Sequence, residues 1–204
     1  MAAHEYRFIT HWRLPGSIED VAAILGDPLN LPRWWPAVYL DVRELAPGDA
    51  RGVGRVVDLY TKGWLPYTLR WRFIVTELDP PRRIALEASG DFVGRGTWTL
   101  EQDGDTADIS YDWRLRAEKP LLRRLSFLLK PLFAANHRWA MAQGERSLRL
   151  ELVRRAASPA ARTRLPPPPG PTSSRPLLLG GAALVAGAGL LFALRAGRGA
   201  RRSG

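Results

Sequence analysis

The side chains of this chain best suited to acid–base chemistry are those of His137 and Tyr111. An imidazole has an ordinary pKa near 6.5, so His137 can exchange a proton or donate a hydrogen bond close to neutral pH. Tyr111, or a carboxylate facing inward, is the partner that such a histidine would need. The chain shows no matching nucleophile, and a structural histidine bonded to a neighbouring carbonyl group is the alternative interpretation.

Tryptophan is abundant, with eight residues in 204. An indole ring offers a flat apolar surface and one N–H donor, which suits contact with an apolar ligand. Packing in the core and pairing between strands is the alternative interpretation for any single residue. The candidates for ligand contact are Trp35, Trp64, Trp71, Trp98, Trp113, Phe133, His137 and Trp139.

Arg95 lies between Gly94 and Gly96 in a strand-like stretch. Glycine pairs in strands mark bulges or close backbone approach, so Arg95 could face an acidic headgroup or simply occupy an edge bulge. Asp112 and Arg114 alternate with the aromatic residues of the same region. Ion pairs on a solvated outer face of a sheet are the expected role of those two residues.

Composition excludes several chemistries. The chain has no cysteine, and its three histidines are too scattered to form a recognisable metal motif, so we expect neither a thiol, a metal site nor a cofactor. Its formal charge of +10 is concentrated at the C-terminal end, where residues 156–204 carry seven arginines and no acidic residue. The preceding 155 residues are nearly balanced, and nucleic-acid binding is therefore not predicted.

The hydrophobic pattern predicts an antiparallel meander. Period-two alternation bounded by turn signals indicates seven strands, at about 5–14, 38–45, 53–61, 67–78, 82–89, 92–101 and 106–118. Ser17 and Asp20 resemble a capping box that opens a short helix after the first strand. A bent sheet of this kind can wrap around a long helix and leave a cavity between the two.

The last part of the domain predicts two helices. Residues 121–129 form the first, and Pro131 opens a longer one that reaches about Arg155. Helical spacing predicts that one stripe of the longer helix faces the sheet. That stripe contains Leu132, Ala135, Trp139, Ala142 or Gln143, Arg146 and Leu150.

Several short motifs together resemble one known superfamily. They are residues 15–21 (PGSIEDV), 31–36 (LPRWWP), 90–98 (GDFVGRGTW) and 131–141 (PLFAANHRWAM). With them, residues 5–155 resemble the START-like, polyketide cyclase/dehydrase and lipid-transport (SRPBCC) superfamily. The resemblance implies an α+β helix-grip fold, in which about seven curved antiparallel strands hold a long C-terminal helix and enclose a deep hydrophobic cavity. Members bind lipids, sterols, polyketides or other apolar molecules, and some are cyclases or hydrolases.

The C-terminal region contains a candidate membrane anchor. Leu177 to Leu194 is a run of eighteen residues without a charge, bracketed by Arg175 and Arg195. That length suffices for a transmembrane helix across a hydrocarbon core of roughly 30 Å. A buried helix or a loose apolar tail is the alternative interpretation.

The predicted organisation is thus a ligand-binding domain (1–155), a linker rich in Pro and Arg (156–176), a transmembrane helix (177–194) and a basic tail (195–204). The N-terminus lacks the apolar stretch of a signal peptide, so we expect a single-pass membrane protein with its domain in the cytoplasm. The four arginines of the tail oppose this orientation, because Lys and Arg tend to stay inside. The excess of arginine over lysine is typical of bacteria with high genomic GC content.

The favoured function is a membrane-tethered binding or carrier protein for a hydrophobic small molecule or lipid. Such a protein would need no enzymatic activity. One alternative is a cyclase- or dehydratase-like enzyme, a lyase or isomerase acting on a lipophilic, polyketide-like substrate. Another is a membrane-anchored regulatory or interaction protein.

Overall fold

The computed structural model describes the backbone of residues 5–117 and 120–172 and the side chains of residues 6–116 and 131–172. Seven antiparallel strands form one sheet in the order β1-β7-β6-β5-β4-β3-β2. Their bounds are β1 Glu5–Pro15, β2 Tyr39–Ala46, β3 Val56–Lys62, β4 Thr68–Asp79, β5 Arg83–Gly90, β6 Phe92–Asp103 and β7 Thr106–Ala117. The predicted meander of seven strands is confirmed, with strand ends displaced by a few residues.

Among the described residues four helices accompany the sheet, and one 3₁₀ turn, at Pro28–Asn30, lies between the first two helices. The helices are α1 Ile18–Leu25, α2 Leu31–Trp34, α3 Pro120–Ala156 and α4 Pro159–Arg162. The predicted cap of α1 is confirmed, since the Asp20 amide donates to Ser17 Oγ at 3.1 Å. This bond satisfies one of the amide groups that the first turn of a helix leaves without a partner.

The helix α3 is continuous through Pro131, so the prediction of two separate helices is wrong. A proline inside a helix removes one backbone hydrogen bond and crowds the carbonyl group four residues earlier. Pro131 is exposed, so its ring does not have to be accommodated in the core. Under that condition a helix can be distorted at a proline without ending there.

The predicted inner stripe of α3 is correct only in part, because Arg146 is exposed and, of the alternatives Ala142 and Gln143, only Gln143 is partly buried. The buried positions of the C-terminal half of α3 are Met141, Gly144, Ser147, Leu148 and Glu151. At Gly144 a side chain is sterically excluded, since an added Cβ would lie 2.3 Å from the indole ring of Trp35. Glycine thus allows the connector after α2 to pack directly on α3.

Glu151 joins α2 to the end of α3. Its carboxylate is only 2 % exposed and accepts two hydrogen bonds from the Arg33 guanidinium, at 2.6 and 3.0 Å. Arg155 Nε donates to it at 3.2 Å, and Arg154 Nη1 lies 3.6 Å away. Burial alone would raise the pKa of Glu151, yet the bonds and charges of Arg33 and Arg155 outweigh burial and hold this pKa below its ordinary value.

Residues after α3 begin the predicted linker. They include the short helix α4, and Arg154 Nη2 donates to the carbonyl oxygen of Pro166 at 3.0 Å. The first part of this segment is therefore bonded to α3 rather than fully extended. The predicted membrane helix, 177–194, lies outside the described residues. Within 5–117 and 120–172, no helix is both long and apolar enough to span a bilayer.

Candidate ligand-binding site

A cavity of about 190 Å³ lies between the sheet and the middle of α3, from Phe133 to Met141. We call it the front chamber. Inward side chains of the strands, Gly63 and Tyr67 of the β3–β4 loop and one face of α3 form its wall. Many of the residues in this wall are aromatic: Tyr6, Phe8, Trp35, Tyr39, Tyr67, Trp71, Phe92, Tyr111, Trp113 and Phe133. A surface of this composition offers an apolar ligand a large area of contact.

His137 contributes a neutral imidazole to the front chamber. Its ring stacks on Phe8, with the ring centroids 4.3 Å apart, and its Nε2 lies 3.5 Å from Thr10 Oγ1. Burial, assisted by the nearby positive charge of Arg138, lowers the pKa of His137 to about 4. At neutral pH the ring is therefore uncharged and offers a hydrogen bond rather than a positive charge.

The β3–β4 loop is fastened to α3 by Asn136. The amides of Trp64 and Leu65 both donate to Asn136 Oδ1, at 2.9 and 3.3 Å. The contact is close, since a Cβ added at Gly63 would lie 2.1 Å from that oxygen. This pair of hydrogen bonds, the Asn136 latch, holds the loop at the edge of the front chamber.

Tyr111 lies within a row of stacked rings on the inner face of the sheet. Its ring centroid is 4.0 Å from that of Trp98 and 5.6 Å from that of Trp113. Burial, with a smaller contribution from Tyr39, raises the pKa of Tyr111 well above its ordinary value. Its hydroxyl is thus a permanent neutral donor near the middle of the fold.

A second cavity, of about 370 Å³, lies toward the opposite end of the sheet. We call it the back chamber. Residues 25–31, the β2–β3 loop and the middle of strands β4 to β6 surround it. Five side chains line both chambers and so form the wall that the chambers share: Trp35, Tyr39, Trp71, Tyr111 and Met141.

The structure brings six of the predicted site residues together around the front chamber. They are Trp35, Trp71, Tyr111, Trp113, Phe133 and His137. Trp98 borders the back chamber instead. Trp64 and Trp139 are partly buried but line neither chamber.

Arg95 lies on the outer face of the sheet, paired in register with Arg114. It borders a surface groove and is separated from both chambers by the sheet. On the same face Asp112 accepts bonds from Arg7 and Arg114, at 3.0 and 2.7 Å. The hydrogen bond from Arg114, followed by that from Arg7, lowers the pKa of Asp112 to about 2. These contacts are the ion pairs expected on the outer face.

Sequence reasoning did not assign a role to Asn136, Gly63 or Tyr39. The signal for Asn136 was present, as a polar residue beside His137 in a mostly apolar helical stretch. Gly63 was read only as a turn signal, because its contact is with a residue 73 positions later in the chain. Tyr39 follows α2 closely and reaches the shared wall through the entry angle of β2, which the sequence does not reveal.

A curved antiparallel sheet that grips a long C-terminal helix around an aromatic cavity defines a helix-grip fold. The chain belongs to the family described as polyketide cyclase / dehydrase and lipid transport, whose model matches residues 10–152. The superfamily resemblance read from the sequence is thereby confirmed for the folded domain. No curated protein is significantly similar to this chain.

Solved structures share the fold at low sequence identity. A protein from Thermus thermophilus is 20% identical, with a TM-score of 0.59, and the match covers 75% of this chain and 100% of that one. The Zhui aromatase/cyclase from Streptomyces sp. R1128 is 18% identical, with a TM-score of 0.59 and coverage of 76% and 98%. The di-domain ARO/CYC StfQ from the steffimycin biosynthetic pathway is 14% identical, with a TM-score of 0.55 and coverage of 76% and 52%.

Proposed function

We propose that this protein binds and carries a hydrophobic small molecule or lipid in the front chamber. The observation that carries the proposal is the aromatic wall of this chamber, between the sheet and α3. Affinity would come from removing apolar ligand surface from water, which contributes about 25 cal/mol per Å². His137 and Tyr111 would orient the ligand through hydrogen bonds.

The chemistry of His137 favours binding over catalysis. A general base works best when its pKa lies near the working pH. The pKa of His137 is lowered to about 4, so its imidazole is a weak base at neutral pH. A neutral imidazole still serves well as a hydrogen-bond partner for a ligand oxygen.

A cyclase-type enzyme is the second candidate. His137 and Tyr111 line the same chamber, which supports a reaction on a bound lipophilic substrate. Two of the proteins that share the fold are named aromatase/cyclase or ARO/CYC. In this case Tyr111 would donate a hydrogen bond to a substrate carbonyl group, and His137 would accept a proton.

The proposal includes a membrane tether. The uncharged run from Leu177 to Leu194 would hold the domain beside a bilayer, with the soluble domain in the cytoplasm. A ligand that partitions into lipid would then be concentrated near the protein. The arginines that flank the run would contact anionic headgroups.

Extraction of the co-purified ligand tests the function. The full chain, transferred from its own host into lipid nanodiscs, is extracted with organic solvent and the extract is analysed by mass spectrometry. Ala140 lines the front chamber, whereas Ala142 is an exposed residue of the same helix. We expect a discrete compound from the wild type and from Ala142→Phe, and at least tenfold less from Ala140→Phe.

The lipids of empty nanodiscs provide the background. Equal amounts of compound from both variants would contradict binding in the front chamber. No compound in any sample, together with no binding of added apolar probes, would contradict the function itself. Conversion of an added substrate, lost in His137→Ala, would favour the enzyme.

A further inference from the structure

The back chamber has no role in the function proposed above. Its inner wall is apolar and includes Phe73, Val75, Ile84, Leu86 and Trp98. Its outer end lies beside the β2–β3 loop, where Arg51 and Arg55 contribute to the rim. The chamber is therefore a second apolar space with its own polar opening.

Size suggests that the front chamber does not hold a whole ligand. Ligand pockets usually measure roughly 300–1,000 Å³. At about 190 Å³ the front chamber falls below that range, whereas the two chambers together fall inside it. The two spaces share the five side chains that line both.

The shared wall contains one flexible side chain and several polar groups. Met141 is unbranched and flexible, so it can move aside for a ligand at little cost. Trp71 Nε1 is already used, since it donates to Thr61 Oγ1 at 3.0 Å. Trp35 is 3 % exposed, and its indole N–H has no hydrogen-bond partner among the described residues.

The hydroxyls of Tyr39 and Tyr111 are the other donors of this wall. Among the described residues neither hydroxyl has a hydrogen-bond partner. Burial raises the pKa of both groups, so both keep their protons at any physiological pH. The wall thus presents donors without acceptors between two apolar spaces.

We propose that the ligand spans both chambers, with an apolar arm in each and an acceptor oxygen near its middle that Tyr39, Tyr111 and Trp35 hold by hydrogen bonds. This inference rests on the proposed binding function and defines its ligand class. The class is an elongated, mostly apolar molecule with a carbonyl or ether oxygen at mid-length. A shorter ligand would leave one chamber empty, and a ligand with its oxygen at one end would leave the donors without an acceptor.

Two isomeric ketones test the position of the oxygen. The full chain in nanodiscs is titrated calorimetrically with 8-pentadecanone and with 2-pentadecanone. Because the isomers partition almost equally into lipid, the ratio of their dissociation constants measures the preference of the protein itself. We expect 8-pentadecanone to bind at least tenfold more tightly, and this preference to fall to less than threefold in the double variant Tyr39→Phe/Tyr111→Phe.

Variants that fill the back chamber test whether it holds the second arm of the ligand. Val75 lines only the back chamber, and the neighbouring Ile74 is exposed on the outer face. Val75→Phe should weaken 8-pentadecanone at least tenfold and leave the short ketone 4-heptanone unchanged, whereas Ile74→Phe should affect neither. Ala50→Trp, at the exposed end of the same chamber, gives a second variant if Val75→Phe lacks a cooperative thermal transition.

The outcomes separate this inference from the function on which it rests. Equal binding of the two isomers, or unchanged binding of 8-pentadecanone by the filled variants, would overturn the two-chamber ligand and leave the binding function intact. No binding of any ketone to the wild type would overturn the two-chamber ligand, and together with an empty solvent extract it would overturn the binding function as well. Binding of 4-heptanone alone would restrict the site to the front chamber and overturn the inference.

Discussion

At the scale of single residues, His137 couples stability to pH. An unfolded chain binds a proton at the ordinary histidine pKa, whereas the folded pKa is lowered to about 4. The unfolded state therefore holds more protons as the pH falls through 6.5, and stability decreases in that direction. A shift of this size predicts a loss of about 2 kcal/mol between pH 7 and pH 5.

Urea unfolding of two glutamine variants measures this loss. In His137→Gln the decrease between pH 7 and pH 5 should largely disappear. His11→Gln is the matched control, because His11 is exposed on the outer face, and it should behave as the wild type. If the stability of His137→Gln still falls between pH 7 and pH 5, another group must be responsible for the loss.

At the scale of elements, Glu151 and Arg33 join α2 to α3. Arg33→Ala should lower the free energy of unfolding by roughly 1–3 kcal/mol, because a buried carboxylate loses its bidentate partner. The loss is smaller than for a fully unpaired charge, since Arg154 and Arg155 remain near Glu151. Denaturant unfolding at pH 7 measures it.

The matched control breaks an exposed ion pair of the same helix. Arg149 lies 3.5 Å from Glu145, and both side chains are more than a third exposed. Exposed pairs contribute little, so Arg149→Ala should cost about 0.5 kcal/mol or less. Equal losses in the two variants would show that the burial of Glu151 has no energetic consequence.

The Asn136 latch makes a prediction about the β3–β4 loop. Gly63→Ala places a methyl group where the Asn136 amide lies, so the amide must rotate and release the Trp64 and Leu65 amides. Hydrogen exchange at these two amides should become about tenfold faster, which corresponds to about 1.4 kcal/mol of lost protection. Mass spectrometry of the peptide that contains residues 63–67 measures it.

Gly170→Ala is the control, because a Cβ there meets no atom within 4 Å. Its loop exchange should match the wild type. Unchanged exchange in Gly63→Ala would mean that the hydrogen bonds to Asn136 do not hold the loop. Faster exchange together with faster ligand release would identify the loop as an entrance to the front chamber.

The elements also show what the sequence could and could not predict. The strands were predictable because alternation with period two records which face of a sheet is buried. The inner face of α3 was not, since Gly144, Ser147 and Glu151 are buried without being hydrophobic. Gly144 meets Trp35 and Glu151 meets Arg33, more than 100 positions earlier, and a local pattern carries no record of such distant contacts.

The candidate site was predictable in composition more than in geometry. An aromatic cavity follows from the abundance of tryptophan and the family resemblance. Whether a given ring lines the front chamber, as Trp71 does, or the back chamber, as Trp98 does, depends on strand register and on the bend of the sheet. Arg95 illustrates the same limit, because a shift of one residue in a strand decides which face a side chain occupies.

At the scale of the whole molecule, the run 177–194 predicts attachment to a membrane. The full chain, expressed in a bacterial host, should pellet with membranes and resist extraction by alkaline carbonate. Leu184→Arg/Ala188→Arg places two charges in the middle of the run. Each charge at the centre of a spanning helix costs roughly 2.5–3.5 kcal/mol on insertion, so this variant should be released.

The same charge added outside the run separates insertion from electrostatic attraction. Gly197→Arg/Ala200→Arg raises the net charge equally but leaves the apolar run intact, and this variant should stay in the carbonate-resistant fraction. Release of both variants would indicate that added charge, rather than interruption of the run, disrupts attachment. A wild-type chain found in the soluble fraction would contradict the anchor, and the ligand would then have to reach the chambers through water.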